Sequence, residues 1–247
     1  MASPAGAPAR PAAVPPEPAV PKVGLFGSLP EAAGQSQVGQ SAGTPFADPP
    51  PSPDRKLQLL HALDEQEVRG CTKCGLSQTR THTVFGEGDA DAQIVFVGEG
   101  PGQNEDETGR PFVGRAGELL TKMITAMGTS RQEVYICNIV KCRPPGNRQP
   151  AVEEVAACSG YLQRQLEWIR PKVIVPLGLP ASRYVLGGTL PMGQMRGVWH
   201  KWRGIDVMPT YHPAYVLRNN SVATRRLVWD DLKQVMSRVG LKPPANG

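Results

Sequence analysis

Four cysteines in two widely separated groups are the residues most clearly spaced for chemistry. Cys71 and Cys74 form a C-x2-C pair, and Cys142 and Cys158 stand sixteen residues apart around the stretch KCRPPGNRQP. Four thiolates make a full ligand set for a tetrahedral zinc ion or for an iron–sulfur cluster. Two disulfides are the alternative, and a C-x2-C pair in a chain without a secretion signal argues against them. The fifth cysteine, Cys137, lies in the apolar run VYICNIV and reads as a small buried hydrophobe. A second candidate is the loop GEGPGQNEDETGRPF (98–112). Gly98 and Gly100 begin a G-x-G-x-x-G pattern, but Gln103 takes the third place. Glu105, Asp106 and Glu107 then stand where a pyrophosphate needs helix amides and no anions. A phosphate cradle is excluded on charge. Gly100 and Gly102 instead let backbone approach a ligand closely beside carboxylates, which suits a neutral, planar, hydrogen-bonding substrate near a water.

These residues need a scaffold, and the apolar pattern supplies one. IVFVG (94–98), VYICNIV (134–140), VIVPLG (173–178) and IDVMPTYH (205–212) are short β-branched runs that predict buried strands. Helical patterns lie between them: AGELLTKMITAMG from Ala116, VEEVAACSGYLQRQLEWI from Val152 and ASRYVL from Ala181. Strands alternating with helices predict a doubly wound, three-layer α/β/α fold with a central parallel sheet of about four strands. In such sheets a site forms beyond the carboxyl ends of the strands. The glycine loop follows the first strand, and HPAYVLRN (212–219) follows the last.

Composition sets the boundaries. Of 247 residues, the first 53 hold 13 of the 26 prolines and are otherwise mostly Ala, Gly, Ser and Gln. Such a segment buries too little apolar surface to offset chain entropy, so residues 1–53 are expected to form a disordered tail before one domain over 54–240. The opening residues show no continuous apolar leader and no stretch approaches a membrane span, so a cytoplasmic, nucleoid-associated bacterial protein is expected. The tail carries two basic and three acidic residues, which leaves a charge of +6 on the remainder of a chain with net charge +5. Lys141, Arg143 and Arg148 crowd the cysteine loop, and Arg218, Arg225 and Arg226 follow His212, a placement compatible with a polyanionic partner.

Taken together, GEGPGQNEDETGRPFVGRAGELL, YICNIVKCRPPGNRQP and HPAYVLRN resemble a family 4 uracil-DNA glycosylase, the iron–sulfur type found in bacteria and archaea. The likeness runs from about Cys71 to about Leu232 with its motifs in order. It implies base-excision repair: hydrolysis of the N-glycosidic bond of deoxyuridine in DNA, leaving an abasic site. It also implies that Cys71, Cys74, Cys142 and Cys158 hold a [4Fe-4S] cluster, a choice over zinc that spacing alone does not make. Phe112 matches the family's base-stacking aromatic and Asn138 its base reader, accepting from uracil N3–H and donating to O4. Cytosine presents the reverse pattern, so a fixed amide rejects it. His212 would donate to uracil O2, where charge accumulates as the bond breaks. Val216, Leu217 and Arg218 would follow on the loop that wedges into the duplex. Lys141, Arg143 and Arg148 would meet phosphates of uracil-containing DNA.

The chain departs from the better-known uracil glycosylases at two places. Their water-positioning aspartate and thymine-excluding tyrosine are here Gly100 and Gly102. Glu99 and Glu105 are the candidates to hold the water, and Glu105 is also the candidate to exclude thymine. Two rival readings differ in class: a glycosylase of wider range acting on hypoxanthine or xanthine, and a non-catalytic metal-stapled nucleic-acid-binding module. Phe112, Asn138 and His212 together argue against the second. A monomer is expected. In the tail, Leu25–Phe26 within KVGLFGSL resembles the end of short peptides that bind bacterial sliding clamps.

Overall fold

A computed structural model describes residues 43–244. The chain enters through α1 (Pro53–Leu63), a π-turn (Asp64–Val68) and a 3-10 turn (Gly75–Gln78). There follow β1 (Glu87–Gly88), β2 (Ile94–Gly98), α2 (Gln103–Thr108), α3 (Arg115–Ala126), β3 (Tyr135–Asn138) and α4 (Val152–Ile169). The second half runs β4 (Val173–Pro176), α5 (Gly178–Leu186), α6 (Met192–Met195), β5 (His200–Trp202), β6 (Ile205–Val207), α7 (Pro213–Arg218) and α8 (Val222–Val239).

The sheet has six strands in the order β1-β3-β2-β4-β6-β5. The four strands read from the apolar runs are its parallel centre. The short edge strands β1 and β5 pair antiparallel with β3 and β6 and were not part of that expectation. Neither has an apolar run: Glu87–Gly88 and His200–Trp202 are held by pairing rather than by burial of alternate side chains. The predicted strand over 205–212 is also shorter. The regular strand ends at Val207, but single hydrogen bonds to the β4 segment continue beyond it, from Met208 N to Ile174 O at 3.0 Å and from Thr210 N to Pro176 O at 3.1 Å, with a bridge between Thr210 and Leu177.

Alternation along the central strands makes the three layers. Val95 and Val97 of β2 and Ile174 of β4 face a core completed by Leu60 and Leu63 of α1, Leu162 and Leu166 of α4 and Val185 of α5. Ile94, Phe96, Val173 and Val175 face the opposite core with Leu120 and Ile124 of α3 and Leu232 and Val235 of α8. This is the period of two expected of strands buried on both faces. Helix α8 was not among the expected helices; Val228, Leu232 and Val235 give it an apolar stripe within a strongly charged segment, and Ser221 caps it by accepting from Thr224 N at 3.0 Å.

The expected tail extends to residue 53, but its last residues are part of the folded unit. Phe46 lies between the guanidinium groups of Arg170 and Arg203, 4.0 and 4.1 Å from its ring centroid, and edge-on to Trp202. Arg203 also donates to Thr44 O, and Arg170 to Asp48 O. An aromatic ring between two cations offers docking that the surrounding Pro, Ala and Gly do not. Leu25–Phe26 lies outside the described residues. Among those residues no helix is long and apolar enough to cross a membrane.

Candidate active site

A cavity of about 810 Å³ opens beyond the carboxyl ends of the parallel strands. The loop after β2 brings Glu99, Gly100, Gly102 and Glu105 to it, the end of β3 brings Asn138, and the turn into α7 brings His212. Phe112 completes it from the segment before α3. Three motifs spread over more than a hundred residues therefore meet in one place.

Asn138 ends β3 at 1% exposure, and its Oδ1 has no hydrogen-bond partner among the described residues. A buried amide oxygen without a partner is costly unless a ligand supplies the donor. Asn138 is paired across the sheet with Gly98, and a Cβ at Gly98 would come within 2.2 Å of Asn138 Oδ1 and 2.6 Å of Phe112 Cζ. Gly98 thus makes room for both the amide and the ring. The sequence showed it only as part of a glycine pattern. What holds Asn138 from behind is Lys141, whose Nζ donates to Asn138 O at 2.8 Å and to Gln165 Oε1 at 2.6 Å. Gln165 in turn donates to Phe85 O and the Tyr135 hydroxyl.

His212 is the N-cap of α7, and its Nδ1 accepts from Ala214 N at 3.0 Å. A lone pair on Nδ1 puts the proton of the neutral ring on Nε2. Burial, reinforced by Arg218 and opposed by Glu105, pushes its pKa down to about 4. The ring is therefore a neutral donor at pH 7. Its centroid lies 5.7 Å from that of Phe112.

The two carboxylates differ in their commitments. Glu105 Oε2 accepts from Gly102 N at 3.1 Å, while its Oε1 accepts from Val113 N and Gly114 N at 2.9 Å each. It brackets the glycine loop to the segment carrying Phe112. A Cβ at Gly102 would stand 2.7 Å from Glu105 Oε2, so the carboxylate occupies the space a larger residue would take. Glu99 lines the cavity, and burial raises its carboxyl above the usual range.

The expected DNA-contacting residues divide. Lys141 is 1% exposed and spent on Asn138 and Gln165, so it is not a phosphate contact; its aliphatic stem and both acceptors lie inside the domain. Arg148 forms a double hydrogen bond with Glu154, at 2.8 and 2.6 Å, and lines the cavity. Arg143 donates to Asn147 Oδ1 at 2.7 Å. On α7, Val216 is buried in the core, whereas Leu217 and Arg218 are exposed.

Cys71, Cys74, Cys142 and Cys158 carry free thiols and line a second, small cavity. Three sulfurs already meet donors. Arg80 Nη1 reaches Cys142 Sγ at 3.3 Å, Lys141 N reaches Cys158 Sγ at 3.2 Å, and the Tyr161 hydroxyl reaches Cys71 Sγ at 3.2 Å. Donors facing sulfur are the surroundings a bound thiolate has. Among the described residues no group of three or more His, Cys, Asp or Glu side chains converges as on a single metal ion. Arg80 was not legible in the sequence, being 62 positions from Cys142. Tyr161 was within reach, one helical turn after Cys158.

The family model for the uracil DNA glycosylase superfamily matches residues 85–233. A type-4 uracil-DNA glycosylase of Thermotoga maritima is 50% identical over 182 residues, 73% of this chain and 94% of that protein. One from Sulfurisphaera tokodaii is 48% identical over 183 residues, 69% of this chain and 81% of that protein. A type-5 uracil-DNA glycosylase of Pyrobaculum aerophilum is 34% identical over 168 residues, 61% of this chain and 72% of that protein. The chain belongs to the uracil-DNA glycosylase superfamily and, within it, to the type-4 uracil-DNA glycosylases.

Proposed function

We propose that the cavity between Phe112, Asn138 and His212 is where this enzyme removes uracil from DNA, hydrolysing the N-glycosidic bond of deoxyuridine. The observation that carries the assignment is the unpartnered, buried Asn138 Oδ1 on the cavity wall. A flipped uracil supplies the missing donor through N3–H, and the Asn138 amide donates to O4. Cytosine has a bare N3 and an amino group there, and would leave both sides of the pair unmatched.

Phe112 stacks on the base while His212 Nε2–H donates to O2. As the C1′–N1 bond breaks, its electron pair leaves with the base, and the charge gathered on O2 is met by a neutral, preorganised donor. Water adds at C1′, and the proton it gives up ends on the departing uracil anion, which leaves as neutral uracil. With Glu105 committed to three backbone N–H groups, Glu99 is the carboxylate to orient that water. Glu105 beside Gly102 takes the room that the methyl of thymine would need. Arg143, Arg148, Leu217 and Arg218 form the duplex-facing surface, with Arg148 free to exchange Glu154 for a phosphate.

Cys71, Cys74, Cys142 and Cys158 hold a [4Fe-4S] cluster in this reading, supported by thiols that ring one cavity and by the donors on their sulfurs. Bound there, it supplies a rigid covalent anchor for the 142–158 loop and no step of the hydrolysis. The test is incubation with oligonucleotides carrying uracil, thymine, hypoxanthine or xanthine, followed by alkaline cleavage at abasic sites. Cleavage confined to uracil is expected, and Asn138→Ala should abolish it. Equal cleavage at hypoxanthine would replace the proposal with the wider-range reading.

A further inference from the structure

Phe112 has φ +52°, the left-handed region that residues with a Cβ avoid. Something must hold it there. The carbonyl oxygens of Pro111 and Phe112 both accept from Arg131, at 2.7 Å from Nη2 and 3.1 Å from Nη1. The same guanidinium donates to Thr121 Oγ1 of α3 and, through Nε and Nη2, to Glu87 Oε1 of β1 at 3.0 and 2.7 Å. These contacts engage all five N–H groups of the arginine. Glu87 is itself fixed from the other side by Arg110. Below the turn, a Cβ at Gly117 would stand 1.9 Å from Phe112 O, so helix α3 leaves a slot for that carbonyl.

From these contacts we propose that Arg131 is a positioning residue for uracil: with Glu87 behind it, it locks the Pro111–Phe112 turn and so holds the stacking ring over the base. This rests on the reading of Phe112 as the ring that stacks on uracil. Lysine cannot take its place, since three donors on one nitrogen do not span two carbonyls, a hydroxyl and a carboxylate in a plane.

A ring that packs against the base in both ground and transition state contributes uniform binding, so its displacement acts on affinity more than on the chemical step. The experiment is single-turnover excision at varied enzyme concentration, with inhibition by free uracil measured in parallel. Arg131→Met is expected to raise both the half-saturating concentration and the uracil inhibition constant about tenfold while changing the maximal rate less than about threefold. Arg131→Lys should behave like Arg131→Met, and Glu87→Gln should move the same two constants in the same direction by about threefold. In a Phe112→Ala background neither substitution should weaken binding further.

A general loss of folded protein would lower active fraction and melting temperature with unchanged constants, and that result overturns the proposal. So does an equal tenfold effect in the Phe112→Ala background. If Arg131→Met does not fold, Glu87→Gln is put through the same cycle, and unchanged constants in it count equally against the proposal. Phe112→Ala that leaves both constants untouched removes the stacking reading itself, whereas a weakened Phe112→Ala beside an unaffected Arg131→Met removes only the clamp.

Discussion

At the scale of the residue, burial and one backbone N–H divide the chemistry of His212 between its two nitrogens. Ala214 N occupies Nδ1, and burial keeps the ring uncharged to a pKa of about 4, leaving Nε2–H as the donor. His212→Gln or His212→Ala should lower maximal excision by about 10²–10³-fold, the usual loss of one oxyanion-type donor, with a much smaller loss of uracil-DNA binding. Single-turnover rates near those of the parent would remove His212 from the mechanism. The same pKa bears on stability. Between about pH 6.5 and the folded value near 4, the unfolded chain binds the proton more readily than the fold does. His212 therefore costs the fold nothing above about pH 7 and destabilises it progressively as pH falls through that window. In urea unfolding at pH 7 and pH 5, His212→Gln should lose less stability on acidification than the parent. Nothing near His212 in the sequence indicates this; the desolvation comes from residues packed over it, Phe112 among them.

At the scale of the element, the site depends on where β2 and β3 end side by side. Gly98 faces Asn138 in the parallel register, so Gly98→Ala should push the amide and the Phe112 ring out of place. Overpacking of this kind typically costs about 1–3 kcal/mol of stability. On the proposed roles of Asn138 and Phe112, excision should fall at least about a hundredfold because both side chains are displaced together. Thermal melting and single-turnover rates on the same preparation check both. The cysteine segments form a second joint between elements, tying the stretch before β1 to the end of β3 and to α4. Protein purified anaerobically should be brown and carry about four irons per chain. Cys71→Ser or Cys158→Ser should lose iron and stability together. Cys137→Ser should keep its iron, since Cys137 packs in the core with Val97 and Ile139. One zinc per chain and no iron would sink the cluster. The four thiols stood out as candidate ligands because thiols at these spacings have few other uses, whereas the donors that face their sulfurs, Arg80 and Lys141 among them, did not. Lys141 even read as a DNA contact, because a lysine beside two arginines looks exposed until the fold turns it inward toward Asn138 and Gln165.

At the scale of the whole molecule, the parallel strands separate two ends with different duties. The pocket lies at their carboxyl ends, while Phe46 docks between Arg170, just before β4, and Arg203, just before β6. Phe46→Ala should therefore reduce stability by about 1–2 kcal/mol through the two lost cation–π contacts and leave the excision rate unchanged. Urea unfolding with parallel activity assays tests this, and a fall in rate at undiminished stability would show that the two ends are coupled. The docking also moves the start of the folded unit several residues ahead of the expected boundary at 54. Composition averaged over a window reads Thr44–Asp48 as more of the same tail; one aromatic ring between two arginines far along the chain decides otherwise.

The sequence by itself determined the four central strands and the helices α3, α4 and α5 among them, the four thiols and the three motif residues Phe112, Asn138 and His212. Each of these is written locally, in a short apolar period or a contiguous motif. The tertiary structure decided which charged groups stay at the surface and which serve the interior, which of Glu99 and Glu105 brackets the loop, and what holds Asn138 and Phe112 in place. Arg131 and Phe112 are 19 residues apart, Lys141 and Gln165 are 24, and Arg80 and Cys142 are 62. A side chain's duty is set by the partners that satisfy its hydrogen bonds once water is excluded, and at such separations those partners become neighbours only when the sheet and its two helical layers close.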